Sequence, residues 1–210
     1  CQSEDERERT AELIRPILRG RDIKRYGYNW ANLWLINTHN GIRGKLERIH
    51  IEDYPAVKAH LDHYWDRISK RADKGDTPYN LRNCAYLEDF SKPKIVWGNL
   101  NLRPSYAIVE DNSFINAPSP MIVPASRYLL AILNSKLADY FIRQLGVTRN
   151  GGYFEYKPMF IEQLPVPQFL DYSILKEINT DAIIKNEKIV DTIVYSLYGV
   201  DDEEIQYIGK

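Results

Sequence analysis

A mixed α/β domain, with a small central β-sheet flanked by helices and followed by a C-terminal helical tail, is the fold class that this sequence predicts. Three observations predict it. Short apolar runs separated by Gly, Pro and Asp-Asn turns crowd residues 94–123. Apolar residues recur at helical spacing on either side, over 54–71 and 127–145. From Ser173 onward the apolar positions form one long helical seam. At 210 residues and 44% hydrophobic, the chain can bury a sizeable core. The expected organisation is a charged lead-in over 1–12, a main domain over 13–170 and a helical tail over 171–210.

Taken in order, residues 1–12 read as the charged end of a helix or a boundary stretch. Leu13 to Tyr28 contains Pro16 and packs Arg19, Arg21, Lys24 and Arg25 around Ile17, Leu18 and Ile23. Asn32 to Asn37 alternates in polarity and ends in polar turn residues, which predicts a strand. A helix is predicted from Tyr54 to Arg71, with Val57, Leu61, Tyr64, Trp65 and Ile68 on one face. The loop around Gly75 and Pro78 closes it. Strands follow at 94–97, 106–109, 114–116 and 121–123, separated by Gly98, Pro104, Asp111-Asn112 and Pro118-Pro120.

Ser126 can cap the next helix, whose buried face is Leu129, Leu133, Leu137, Tyr140 and Phe141, and Gly146 can end it. A short basic, amide-bearing turn comes next (Arg149, Asn150, Gly151, Gly152). It leads into an aromatic strand-like run from Tyr153 to Tyr156, and Pro165 and Pro167 then exclude central-strand pairing. In the tail, Ile174, Ile178, Ile183, Ile184, Val190, Ile193, Val194 and Leu197 predict a packing helix. Gly199 can supply its C-terminal cap, and Asp201 with Glu204 reads as a capping box for a final short helix.

The net charge of −1 argues against a nucleic-acid partner only until its distribution is read. Of 28 basic and 29 acidic residues, the first twelve positions hold two and five and residues 171–210 hold four and nine. That leaves 22 basic against 15 acidic, +7, for residues 13–170. Such a body is compatible with phosphate contact. No apolar run approaches the roughly 18 to 20 residues needed to span a bilayer, and CQSEDERERT is the opposite of a signal-peptide apolar region. The expectation is a soluble, cytoplasmic protein with no membrane partner. Two cysteines, Cys1 and Cys84, make neither a zinc cluster nor a disulfide framework.

The search for catalytic groups comes back empty. No glycine-rich loop follows a strand to cradle a nucleotide or adenosyl cofactor, and Gly41 and Gly44 are too sparse to count. His60 and His63 share a helix, but no Glu or Cys cluster completes a metal set. No Gly-x-Ser-x-Gly elbow exists. The pairs Glu52-Asp53, Glu88-Asp89 and Glu110-Asp111 sit beside turns or helix starts, where caps explain them. What remains is a chemistry of contact. Arg15, Arg19, Arg21, Lys24 and Arg25 interleave with Tyr26, Tyr28 and Trp30, as phosphate-gripping surfaces do, although snorkelling arginines on a solvated helix end look the same. Asn99, Asn101 and Arg103 follow a strand and carry the amide and guanidinium groups that pair with base edges, although Asn is also a turn residue. Arg149, Asn150, Tyr153, Tyr156 and Lys157 share that double character.

The segments IRPILRGRDIKRYGY (14–28), RADKGDTPYNLRNCAYLEDFSKPKIVW (71–97), INAPSPMIV (115–123), YLLAILNSKLADYFIRQLG (128–146) and NGGYFEYKPMFIEQLPVPQ (150–168) are similar to the TaqI-like C-terminal specificity domain of adenine-specific restriction-modification enzymes. The tail IVYSLYGVDDEEIQYI (193–208) resembles the way such polypeptides end. The resemblance implies a target-recognition domain of a type IIG or related enzyme. Its partners would be duplex DNA and an adenine-specific methyltransferase domain upstream in the same polypeptide, with or without a nuclease. It implies a fragment that recognises without catalysing and holds no cofactor. S-adenosylmethionine, with or without magnesium, is expected in the upstream domains. On that reading Arg19, Arg21, Lys24 and Arg25 hold phosphates, while Asn99, Asn101, Arg103 and the 149–157 segment reach base edges. The rival readings are a protein-interaction module that docks a separate methyltransferase subunit and a separate enzyme of unknown reaction.

Overall fold

A computed structural model of the chain describes residues 1, 3–168 and 184–209. They fall into two compact units. The first comprises Cys1–Ile17, Asn32–Ser91 and Asn112–Phe114, and the second Leu18–Ala31, Lys92–Asp111 and Ile115–Lys210.

In the first unit the lead-in is a helix, α1 (Glu4–Leu13), whose N-cap Ser3 accepts the Glu6 N–H. Glu4, Asp5 and Glu6 fill its first turn, where carboxylates favour the helix dipole. The chain then extends as β1 (Ile14–Leu18), and its Ile14, Arg15 and Pro16 pair antiparallel with β4 (Trp34–Ile36). Leu13, Ile51 and Val57 form the centre of this unit's core, with Ile36, Tyr54 and Leu61 packed around them. Pro55 opens α2 (Pro55–Asp62), whose N-cap Tyr54 has no capping oxygen to offer. The buried Glu6 supplies it instead: its Oε1 accepts the Ala56 N–H at 2.8 Å. The single helix predicted over 54–71 is in fact two, α2 and α3 (Trp65–Ile68), broken at His63-Tyr64. Tyr64 and Trp65, expected on the buried face, are 45% and 43% exposed, so little burial holds the turn helical.

The second unit is built on an antiparallel sheet in which β5 (Lys94–Trp97) lies between β7 (Tyr106–Val109) and β9 (Met121–Ile122). All four β5 residues are buried, as an uninterrupted KIVW run requires of a strand covered on both faces. The Lys94 ammonium is satisfied by carbonyls, at 2.8 Å from Asp111 O and 3.3 Å from Lys92 O, and burial lowers its pKa. The predicted strand at 114–116 is β8 (Phe114–Ile115). Of the paired carboxylates read as caps, Glu52-Asp53 and Glu88-Asp89 lie in the first turns of short helices, while Glu88 also pairs with Lys45 and Asp111 accepts from Tyr28.

The helix predicted over 127–145 is also two, α4 (Arg127–Asn134) and α5 (Lys136–Gln144). Ser126 caps the first, as predicted. The break lies at fully buried Ser135, whose Oγ donates to Ile132 O at 2.7 Å and accepts the Ala138 N–H at 3.1 Å. Beside it, Asn134 donates to Tyr106 O and accepts the Tyr106 N–H, so the break fastens the helix pair to β7. After the short α6 (Pro158–Ile161), helix α7 (Glu187–Tyr198) packs on both α4 and α5, and its buried Asp191 accepts the Lys136 N–H at the start of α5. Gly199, at φ +65°, ends α7, and the Asp201–Glu204 capping box opens α8 (Asp202–Ile208), both as predicted. Of the predicted seam, Ile184, Val190 and Val194 are buried, whereas Ile174, Ile178 and Ile183 lie outside the described residues. No helix among the described residues is long and apolar enough to cross a membrane.

Candidate functional site

The three segments marked for nucleic-acid contact all lie in the second unit. The first runs through a short turn, Gly20–Asp22, into a tight hairpin of β2 (Ile23–Lys24) and β3 (Gly27–Tyr28). Tyr26, at its tip, adopts a positive φ of 65° and donates its N–H to Tyr106 O, which ties the hairpin to β7. The second segment leaves β5 at Gly98 and forms β6 (Leu100–Asn101). The third closes the Arg149–Tyr153 turn and forms β10 (Phe154–Glu155), with Gly151 and Gly152 at φ +75° and +82°.

Three junctions join these segments. Gly20 and Gly98 meet backbone to backbone: a Cβ on Gly20 would stand 3.3 Å from Gly98 Cα. β6 and β10 pair antiparallel, Asn101 opposite Phe154 and Leu100 opposite Glu155. Glu187, in the first turn of α7, brings two guanidinium groups to one oxygen, with Arg25 Nε at 2.7 Å and Arg103 Nη1 at 3.3 Å. Two cations share one carboxylate there, so a positive charge is left over.

The structure sorts the expected contact residues by what already engages them. Arg19 is chelated by buried Asp22, with Nε and Nη2 at 2.9 and 2.8 Å, and those bonds hold the Asp22 carboxyl below its ordinary pKa. Its charge is thereby cancelled locally, contrary to a role as a free phosphate grip. Arg25 is nearly buried and also donates to Pro104 O, so it too is a structural cation. Arg21 and Lys24 are exposed, with the Lys24 ammonium 2.6 Å from Arg21 O. Asn99 is half-buried and uses its carbonyl to accept the Tyr156 N–H. Asn101 spends its amide on Gly98 O at 2.6 Å, closing its own turn. Arg103 keeps most of its side chain in solvent. Asn150 and Tyr153 are exposed, and Arg149 and Lys157 flank Glu155 at 3.0 and 2.9 Å.

Tyr156 needs a full correction: it is 1% exposed and belongs to the core. Its hydroxyl donates to Asp139 Oδ1 at 2.9 Å and accepts from Arg143 Nη2 at 2.9 Å, and its carbonyl accepts the Trp97 indole N–H. Burial, then Asp139, pushes its phenol well above the ordinary range. Arg143 also donates to Leu102 O at 2.7 Å. This network anchors the second segment to the third. Sequence reading missed Arg143, Asp139 and Glu187. An Asp–Arg pair four residues apart on a helix was the available signal for the first two.

A family model described as the TaqI-like C-terminal specificity domain matches residues 15–166. The Type II methyltransferase M.BstVI of Geobacillus stearothermophilus is 21% identical over 206 residues, which are 94% of this chain and 36% of that protein. Among solved structures, the Type IIL restriction-modification enzyme MmeI, in complex with DNA, is similar with a TM-score of 0.63 at 15% identity over 98% of this chain and 32% of that chain. The chain thus spans about a third of the length of both.

Proposed function

The chain belongs to the TaqI-like C-terminal specificity domain family, and from that premise we propose that it reads a specific sequence in duplex DNA for an adenine-specific methyltransferase domain upstream in the same polypeptide. The observation that carries this reading is the convergence of the 19–25, 98–103 and 149–157 segments in one unit, through the Gly20–Gly98 contact, the β6–β10 pairing and the shared Glu187. Turns that a core holds in register offer a rigid base for recognition.

Within this reading Arg21 and Lys24 hold phosphates, because they are the exposed cations of the first segment. Arg103, Asn150 and Tyr153 are the candidates for base edges and stacking, with Arg149 and Lys157 free to exchange Glu155 for phosphate. Asn99 and Asn101 act by holding the turn. The domain recognises without catalysing; adenosylmethionine and any metal belong to the upstream part. A cytoplasmic location goes with this proposal.

Fluorescence anisotropy with duplex DNA across a salt series tests it. Log affinity should fall linearly with log salt, at a slope near −0.9 per phosphate contacted. Changing Arg21 and Lys24 together to Ala should weaken all sequences about equally and reduce the slope by about 2. Binding that ignores salt would overturn the reading.

A further inference from the structure

The second unit has an open cavity of about 590 Å³ whose walls include Leu137, Tyr140, Tyr198, Glu203, Glu204 and Tyr207. The Tyr140 and Tyr207 rings stand edge to face, with centroids 6.0 Å apart and planes at 79°, so two aromatic walls meet nearly at a right angle. Tyr198 is held in place by its hydroxyl, which donates to Pro165 O at 2.5 Å. Glu204 gives one carboxylate oxygen to the Asp201 N–H in the capping box, and Glu203 is exposed. No lysine or arginine is among the described residues lining the cavity.

Aromatic faces and carboxylates select the same kind of group. Both attract a cation, and both repel an anion. A purely apolar occupant would desolvate the glutamates with nothing to pair them. Two further observations favour an occupant made of protein. Tyr207 leaves 65% of its surface in water although its ring is one wall of the cavity. The acidic run Asp201, Asp202, Glu203, Glu204 extends the negative charge beyond the cavity along α8, further than a small cation could use.

We propose that this cavity docks a basic segment of polypeptide, taking one arginine or lysine side chain with its aliphatic stem on Leu137 and the tyrosine rings and its charged head toward Glu203. The relatives are about three times the length of this chain, so their polypeptides have ample further sequence to supply such a segment.

The test uses the 210-residue chain and two peptides of about twelve residues, one with a central arginine flanked by leucines, the other with citrulline in its place. Citrulline keeps the shape and loses the charge. Calorimetry should show the arginine peptide binding about tenfold more tightly than the citrulline peptide. Tyr207→Ala should cost about tenfold in affinity for the arginine peptide while Tyr207→Phe stays within about twofold, and Glu203→Gln should weaken binding several-fold. Both positions are exposed, so the variants should stay folded, which thermal melts check; Tyr207→Ala should lower the midpoint only slightly, by the loss of its edge-to-face contact with Tyr140. Equal binding of the two peptides, no binding of either, or an unaltered affinity in folded Tyr207→Ala would overturn the proposal.

Discussion

Gly98 lies so close to Gly20 that a Cβ built on Gly98 would stand 3.0 Å from the Gly20 carbonyl oxygen. The Asn101 amide nitrogen, which donates to Gly98 O, would be 3.3 Å from the same atom. A backbone oxygen cannot swing aside as a side chain can, so Gly98→Ala must push the 19–25 and 98–103 turns apart by a few tenths of an ångström. Urea unfolding should show a loss of about 1 kcal/mol. DNA affinity and sequence preference should fall by more than that destabilisation accounts for. A variant with parental DNA binding would show that the two turns do not read DNA as a unit.

Arg103 offers the sharpest separation of reading from gripping. Its guanidinium approaches Glu187 at 3.3 Å yet is 63% exposed, so most of its donors remain available. A bidentate base contact is worth about 1–3 kcal/mol of discrimination. Selection of bound duplexes from a randomised pool should therefore recover a different or looser consensus with Arg103→Ala. The Arg21 and Lys24 substitutions should leave the consensus unchanged. An unaltered consensus and affinity in Arg103→Ala would move the assignment to Asn150 and Tyr153.

The parts of this fold legible in the sequence are those where one signal dominates. Ile95, Val96 and Trp97 form an unbroken apolar run that became the covered central strand, and Ser126, Gly199 and the Asp201–Glu204 box punctuate helices by side-chain or glycine chemistry alone. The break at Ser135 was not legible, because the apolar period runs on through it and only the tertiary bonds of Asn134 to Tyr106 decide it. The β6–β10 pairing joins two-residue strands more than fifty positions apart, too short to carry an alternating pattern. At the candidate site, sequence marked the segments and not the atoms. An aromatic among basic residues looks the same whether it stacks on a base or, like Tyr156, closes a core. Whether an arginine is free or spent depends on partners such as Asp22 and Glu187, which only the fold supplies.

Stability should fall at alkaline pH, and the tyrosines set where. Burial raises Tyr198 to about 12 in the folded chain, and it raises Tyr106 and Tyr156 as well. An unfolded phenol titrates near 10. A folded pKa above the unfolded one contributes stability that is complete below about pH 10 and lost as pH rises through the folded value. Urea midpoints should therefore hold steady up to about pH 10 and drop steadily from there to 12. Phenolate absorbance at these three tyrosines should appear together with the loss of circular dichroism. Their ionisation in a chain that keeps its native spectrum would contradict the burial that raises them.

Two serines with the same capping chemistry separate burial from capping. Ser126 and Ser135 each accept a backbone N–H three residues on, at 3.3 and 3.1 Å, but Ser126 is exposed and Ser135 fully buried. At Ser126, water can replace the lost oxygen, so Ser126→Ala should cost about 0.5–1 kcal/mol. At Ser135 no water waits to take over. Removing Oγ there strands the Ala138 N–H and withdraws a donor from Ile132 O, so Ser135→Ala should cost about 2–3 kcal/mol. The larger effect should also reach β7, because Asn134 holds Tyr106 only while the chain breaks after it. Urea unfolding gives both free energies, and hydrogen exchange at the Tyr106 amide reports the second consequence. Equal costs for the two substitutions, with Tyr106 protection unaltered, would mean that the break is held by the surrounding packing and that Ser135 merely occupies it.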